Sequence, residues 1–220
     1  VIDDNKERVS IKFYVYTYRT PFYLEKIITI ESGKPYIEIE EEVRNLAGEE
    51  VDFIWGHHPA FGKPFLSENC IINIKGAKVK VVPGDGKSFT NLKQTEGKWP
   101  FIEGVDGKMV DISKVPGEKD NVSDVIFLSE IEEGYYEILN EKLEIGFFME
   151  FPKDVFKYLW FWRIAKGSYN YPWWGRNYNI ALEPFSSLPN LEDAIKRNDQ
   201  LKLKENGSLK ASLKAGVKKI

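Results

Sequence analysis

The chain has 220 residues, a formal net charge of −3 and a pI near 5.6. That charge gives no electrostatic grip on nucleic acid or an anionic membrane, and no long apolar run exists to span a bilayer. A single cysteine, Cys70, excludes an internal disulfide framework and suggests a reducing compartment. Length alone makes one domain, residues 1–220, the default, with room for a real core. Aromatics make up 14% of the residues, which suits strand-rich packing and sugar contacts alike. The first residues carry Asp3, Asp4 and Glu7 and no apolar core, so they do not read as a signal peptide. The chain begins at Val1, which leads to the expectation of a trimmed start or of a piece of something longer.

Taken in order, residues 11–19 alternate with period two. Ile11, Phe13 and Val15 share one face and Tyr14, Tyr16 and Tyr18 the other, which predicts a strand. Thr20-Pro21 breaks it, and Leu24–Ile30 forms a second strand. Tyr36–Val43 places Ile37, Ile39 and Val43 on one side and Glu38, Glu40 and Glu42 on the other, so one face is wet and the sheet antiparallel. Val51 to His57 runs back after a turn, and short apolar stretches follow from Cys70 to Val82. Residues 83–124 are rich in Gly, Asp, Lys, Pro and Ser and read as a long irregular segment, a candidate rim over a cleft. Further strands are expected at 125–128, 135–139, 143–151, 156–164 and 179–183. The segment Tyr169–Tyr178 is an aromatic loop holding Trp173, Trp174 and Arg176. Asn190 caps a short helix through Ile195. The tail alternates through Leu201 and Leu203, turns at Asn206-Gly207, and alternates again through Leu209, Ala211 and Leu213, the pattern of a hairpin. Many short strands and almost no helix predict an all-β sandwich or barrel.

Two stretches carry candidate chemistry. Phe53-Ile-Trp-Gly-His-His-Pro-Ala-Phe61 holds the chain's two histidines. Neighbours on a strand point to opposite faces, so His57 and His58 reach one place only where the strand ends between them. Pro59 restricts His58 to extended backbone and so fixes its direction. His58 is read either as an acid/base group or as a structural histidine satisfied by a hydrogen bond. Adjacent histidines with no further histidine and no useful cysteine make a poor metal site. The second stretch, Ala181-Leu-Glu-Pro-Phe185, sets Glu183 among apolar residues, where a carboxylate is paired, shifted in pKa, or at work. Its plain alternative is a salt bridge to Arg163 or Arg176. The aromatic loop either caps the core or stacks on a pyranose. No Gly-rich phosphate loop and no Gly-x-Ser-x-Gly elbow is found.

With these residues in view, the sequence resembles the aldose 1-epimerase (galactose mutarotase-like) superfamily, from about Arg19 to the end. The likeness rests on Arg19-Thr-Pro-Phe-Tyr-Leu24, the strand Tyr36–Asn45, the run Phe53–Phe61, in which a histidine stands three residues before Phe61, and Leu182-Glu183-Pro184 with Leu188-Pro189 and the helix that follows. What the resemblance implies is an antiparallel β-supersandwich that interconverts the α and β anomers of an aldose. Glu183 would take the proton of the anomeric hydroxyl, and His58 would protonate the ring oxygen. Trp55, His57, Arg163, Trp174 and Arg176 are expected to contact the sugar, with the two arginines reaching a phosphate where the hexose carries one. No cofactor or metal is implied. Family members also carry a histidine and an arginine in an N-terminal portion; here no histidine precedes His57, which leads to the expectation either that such a portion is missing from this chain or that the chain is a divergent member with an incomplete site. A non-catalytic carbohydrate-binding sandwich is the alternative, with a glycan hydrolase or lyase behind it. The expected partner is a small sugar or sugar phosphate, with no nucleic acid or membrane, in a cytoplasmic protein that a homodimer would suit.

Overall fold

The computed structural model of the protein describes residues 1–82 and 89–220. The strands in chain order are β1 (Asp3–Asp4), β2 (Arg8–Tyr16), β3 (Phe22–Glu31), β4 (Tyr36–Asn45), β5 (Val51–Phe53), β6 (Ala60–Phe61), β7 (Cys70–Ile74), β8 (Lys78–Val81) and β9 (Glu96–Lys98). They continue as β10 (Phe101–Glu103), β11 (Met109–Asp111), β12 (Val122–Ser129), β13 (Tyr135–Asn140), β14 (Ile145–Glu150), β15 (Tyr158–Ala165) and β16 (Tyr178–Phe185). The short helix α1 (Leu191–Arg197) precedes β17 (Leu201–Leu203) and β18 (Ser208–Lys219).

Two large antiparallel sheets face each other. The first runs β1-β2-β3-β4-β18-β14-β13-β7 and the second β11-β10-β9-β8-β12-β15-β16-β6. This is the galactose mutarotase-like β-sandwich. The core lies between the sheets. Val43, Ile72, Ile138, Met149, Ala211 and Leu213 point in from the first, and Val79, Val81, Ile126, Leu128, Leu159, Phe161, Ile180 and Leu182 from the second. Strict alternation along each strand sends the other half of the residues outward. In the second sheet this outer half includes Phe127, Trp160, Trp162, Glu183 and Phe185, and these build the site below.

Two details differ from the sequence pattern. Among the described residues of the segment 83–124, β9, β10 and β11 form a small meander that extends the second sheet, so this stretch is more regular than its composition suggests. Residues 83–88 of that call lie outside the described residues. The turn at Asn206-Gly207 is present, with Gly207 N–H donating to the Lys204 carbonyl at 2.9 Å. It does not close a hairpin, however: β17 pairs with β5 whereas β18 pairs with β4 and β14. A turn dipeptide sets the local backbone and leaves the choice of partner strand to burial.

The helix follows its local signals. The Asn190 side chain accepts from Asp193 N–H at 3.0 Å, acidic Glu192 and Asp193 occupy the first turn, and Lys196 and Arg197 the last. Asn198 takes the left-handed backbone that ends it.

Candidate active site

The site is built by the way residues 55–61 run beside β16. Strand β5, which pairs with β17, ends at Phe53, and the chain then takes up antiparallel contact with β16. Ala60 lies opposite Ala181 and Phe61 opposite Ile180, and Gly56 makes a lone bridge to Phe185. The register is the same at both ends, so His58 falls opposite Glu183 and His57 opposite Pro184. His57 N–H donates to the Pro184 carbonyl at 3.0 Å, Trp55 N–H donates to Ser186 Oγ at 3.0 Å, and Ser186 N–H donates to the Trp55 carbonyl at 2.8 Å. The close approach requires Gly56: a Cβ there would stand 2.4 Å from the Phe185 ring.

Across this seam His58 Nε2 lies 3.5 Å from Glu183 Oε1. The two differ sharply in setting. The imidazole is 56% exposed, while the carboxylate is 7% exposed. Burial pushes the Glu183 carboxyl above the usual carboxylate range, and the facing imidazole pulls it part of the way back. From the core side, the Tyr136 hydroxyl donates to the Leu182 carbonyl at 3.0 Å and so steadies the strand next to Glu183.

Aromatic rings surround the pair on the same face. Trp160 is the cross-strand neighbour of Glu183 and stacks on Phe185 with centroids 3.7 Å apart and planes 6° apart. Its indole N–H donates to the Ser187 carbonyl at 2.9 Å. Trp162 meets His58 edge-on at 6.4 Å and Trp173 at 5.1 Å. The pair therefore opens onto a face walled by aromatic rings, of the kind that packs against the apolar side of a sugar ring.

The other expected contacts lie elsewhere, and the pleat explains three of them. Trp55, His57 and Arg163 occupy positions of opposite parity to His58 and Glu183, so they project toward the core and not onto the pair's face. Trp55 packs on Phe156 at 5.2 Å, and His57 approaches Glu41. Arg163 is 3% exposed and its Nε donates to Asp124 Oδ2 at 2.7 Å, with Thr90 also bonded to Asp124. It thus makes no pair with Glu183. Trp174 is 57% exposed, holds a left-handed backbone, and has Tyr171 as its aromatic neighbour. Arg176 is exposed on the same loop. Trp173, next to Trp174, is the loop tryptophan that reaches toward the pair. Phe185 is readable from the alternation of β16 with Glu183 as the reference position, whereas Trp160 and Trp162 share that face only through the register of β15 on β16, which the structure supplies. Among the described residues no group of three His, Cys, Asp or Glu side chains is arranged to hold a metal ion. No helix among them is long and apolar enough to cross a membrane.

Comparison with solved structures gives the same fold. A provisionally assigned aldose 1-epimerase from Klebsiella pneumoniae superposes with a TM-score of 0.68 at 15% identity, over 96% of this chain and 50% of its own. A galactose mutarotase related enzyme from Lactobacillus acidophilus gives 0.60 at 13% identity, over 99% of this chain and 70% of its own. A galactose mutarotase-like protein from Clostridium acetobutylicum gives 0.58 at 18% identity, over 100% and 65%. The chain thus spans half the length of the Klebsiella protein and about two thirds of the others. No curated protein sequence matches it. The model of a domain of unknown function, DUF4432, matches residues 17–217, and the chain belongs to that family.

Proposed function

We propose that this chain catalyses the interconversion of the α and β anomers of an aldose. The observation that carries the reading is the Glu183–His58 pair: a buried carboxyl raised by its surroundings and an exposed imidazole, 3.5 Å apart on an aromatic face. The reaction needs one group to take the proton of the anomeric hydroxyl and another to give a proton to the ring oxygen. Both oxygens are bonded to the same carbon, so an acid and a base standing side by side reach them together. Glu183, ionised and made more basic by burial, takes the hydroxyl proton, and protonated His58 supplies the ring oxygen. The C1–O5 bond breaks and the carbonyl forms. The C1–C2 bond then rotates, and the pair closes the ring with its proton roles reversed. Trp160, Trp162 and Trp173 offer the aromatic walls against which the ring packs. The names of the structural relatives, aldose 1-epimerase and galactose mutarotase, support the same reading.

The test is anomeric exchange followed by proton NMR across free and 6-phosphorylated aldoses, with Glu183→Gln alongside. Fast exchange with the wild type, slowed by about 10²–10⁴-fold in the variant, is the expected result. Chemical-shift changes showing that a sugar binds, without exchange, would replace the reading with that of a non-catalytic carbohydrate-binding protein. Release of new reducing ends from a glycan would replace it with a hydrolase.

A further inference from the structure

Glu41 breaks the pattern of its strand. Along β4 its inward row reads Ile37, Ile39, Glu41, Val43, and Glu41 is 4% exposed between the sheets. Its cross-strand neighbours are Lys26 on one side and the small Ala211 on the other. Lys26 Nζ lies 2.8 Å from Oε1, while His57 Nε2 lies 3.0 Å from Oε2. The second contact is close but bent: neither Oε2 nor Nε2 finds a partner along a hydrogen-bond line. Burial works to raise the Glu41 carboxyl, yet His57 and Lys26 together hold it below its ordinary value. A buried carboxylate stripped of a partner is costly, so Glu41 resists the departure of the imidazole. The ring is also held edge-on against Phe156 at 5.1 Å.

His57 is thereby fixed at two ends. Its side chain is held by β4 of the first sheet, and its backbone by the Pro184 carbonyl of the second. His58 follows at once, and Pro59 removes one of the remaining freedoms of the backbone. We propose that Glu41 is a positioning residue for His58: by anchoring the His57 imidazole it sets the segment that presents His58 to Glu183. The inference rests on the proposed acid/base reading of that pair. Glu41 itself lies on the core side of the sheet and does not touch the sugar's face.

The chain has only two histidines, so each imidazole gives its own resolved NMR signals, and His58 can be followed without any turnover. The experiment compares wild type, Glu41→Gln, and Ile72→Val, a trimmed core position on β7 of the first sheet. Each is recorded by imidazole ¹H–¹³C and ¹H–¹⁵N spectra and by anomeric exchange well below its unfolding temperature. Glu41→Gln should move or broaden the signals of both histidines. It should also lower kcat by about 10–100-fold, the cost of a small misplacement of a reacting group, with KM within about twofold. Ile72→Val should lose stability while leaving the His58 signals and kcat in place. An unmoved His58 in Glu41→Gln, or a kcat equal to that of Ile72→Val, overturns the proposal. If wild type exchanges no aldose, the functional reading fails, and the His58 signals still decide whether Glu41 positions it. Should Glu41→Gln not fold, His57→Gln cuts the same link from its other end and is judged by the His58 signals and kcat.

Discussion

His58 and Glu183 lie directly across from one another on adjacent antiparallel segments, 3.5 Å apart, although 124 residues separate them in the chain; their register is the one set at Ala60–Ala181. The pairing is a consequence of that register and of Gly56, which lets the segment lie against Phe185. A one-residue slip would turn His58 into the core and put His57 or Pro59 in its place. The position of the pair is therefore a property of the sheet and not of a flexible loop.

The raised Glu183 carboxyl makes stability depend on pH in a definite direction. Its folded pKa lies above its unfolded value, so between the two the folded state holds more protons than the unfolded state. Stability therefore falls as pH rises through that window. Glu183→Gln removes the cost of an ionised buried carboxylate. Its Tm at pH 7 should exceed that of wild type by about 2–4 °C, and the gain should vanish below about pH 4. Thermal unfolding at a series of pH values checks this. Activity should follow the opposite course in wild type, declining as pH falls through the raised carboxyl, because only the ionised form takes the hydroxyl proton.

The two neighbouring tryptophans of the aromatic loop should behave differently. Trp173 packs on Trp162, which in turn meets His58, whereas Trp174 turns outward. Trp162→Ala should raise KM or Kd for the sugar by about tenfold, the loss of one ring's contact, with the pH profile of turnover unchanged. Trp174→Ala should change neither KM nor Kd. Titration of the sugar against each variant by NMR separates the two.

Much of this was legible in the sequence. The alternation of residues 11–18 and 36–43 gave the antiparallel strands, and the apolar setting of Glu183 marked a carboxylate out of its usual medium. The neighbouring positions of His57 and His58 already implied opposite faces, which the structure bears out in their different partners, Glu41 and Glu183. What was missed has a physical cause. Arg163, read in the sequence as a partner for Glu183 or for the sugar, sits at a core-facing position beside Asp124, and a pair so far apart in the chain leaves no local signature. Glu41 was lost in a run of glutamates: the eye reads Glu38, Glu40 and Glu42 as a wet face, and an acid of the opposite parity disappears among them. The signal was present as one acid in the row Ile37, Ile39, Val43.

Arg163 and Asp124 give a stability prediction free of catalysis. Both are nearly inaccessible to water, and each neutralises the other across β12 and β15. Asp124→Asn should leave a buried guanidinium without its counter-charge and cost about 3 kcal/mol. Replacing both residues with apolar side chains of similar volume should cost less than the single change, since no charge is then stranded. Urea unfolding of the single and double variants measures the difference.

Gly56 ties the architecture of the site to its chemistry most directly. It pairs with Phe185, and any side chain there would enter a ring that is stacked on Trp160 and cannot swing away without breaking that stack. Gly56→Ala should therefore cost about 1–3 kcal/mol through overpacking. The same push displaces the segment that carries His58 two residues later, so turnover should fall more than stability alone explains. Phe185→Leu trims the ring that the new methyl meets. Combined with Gly56→Ala it should restore part of the stability, and the two changes should show a favourable coupling energy in a double-mutant cycle. Additive effects of the two substitutions would mean that the ring is not what requires glycine at position 56.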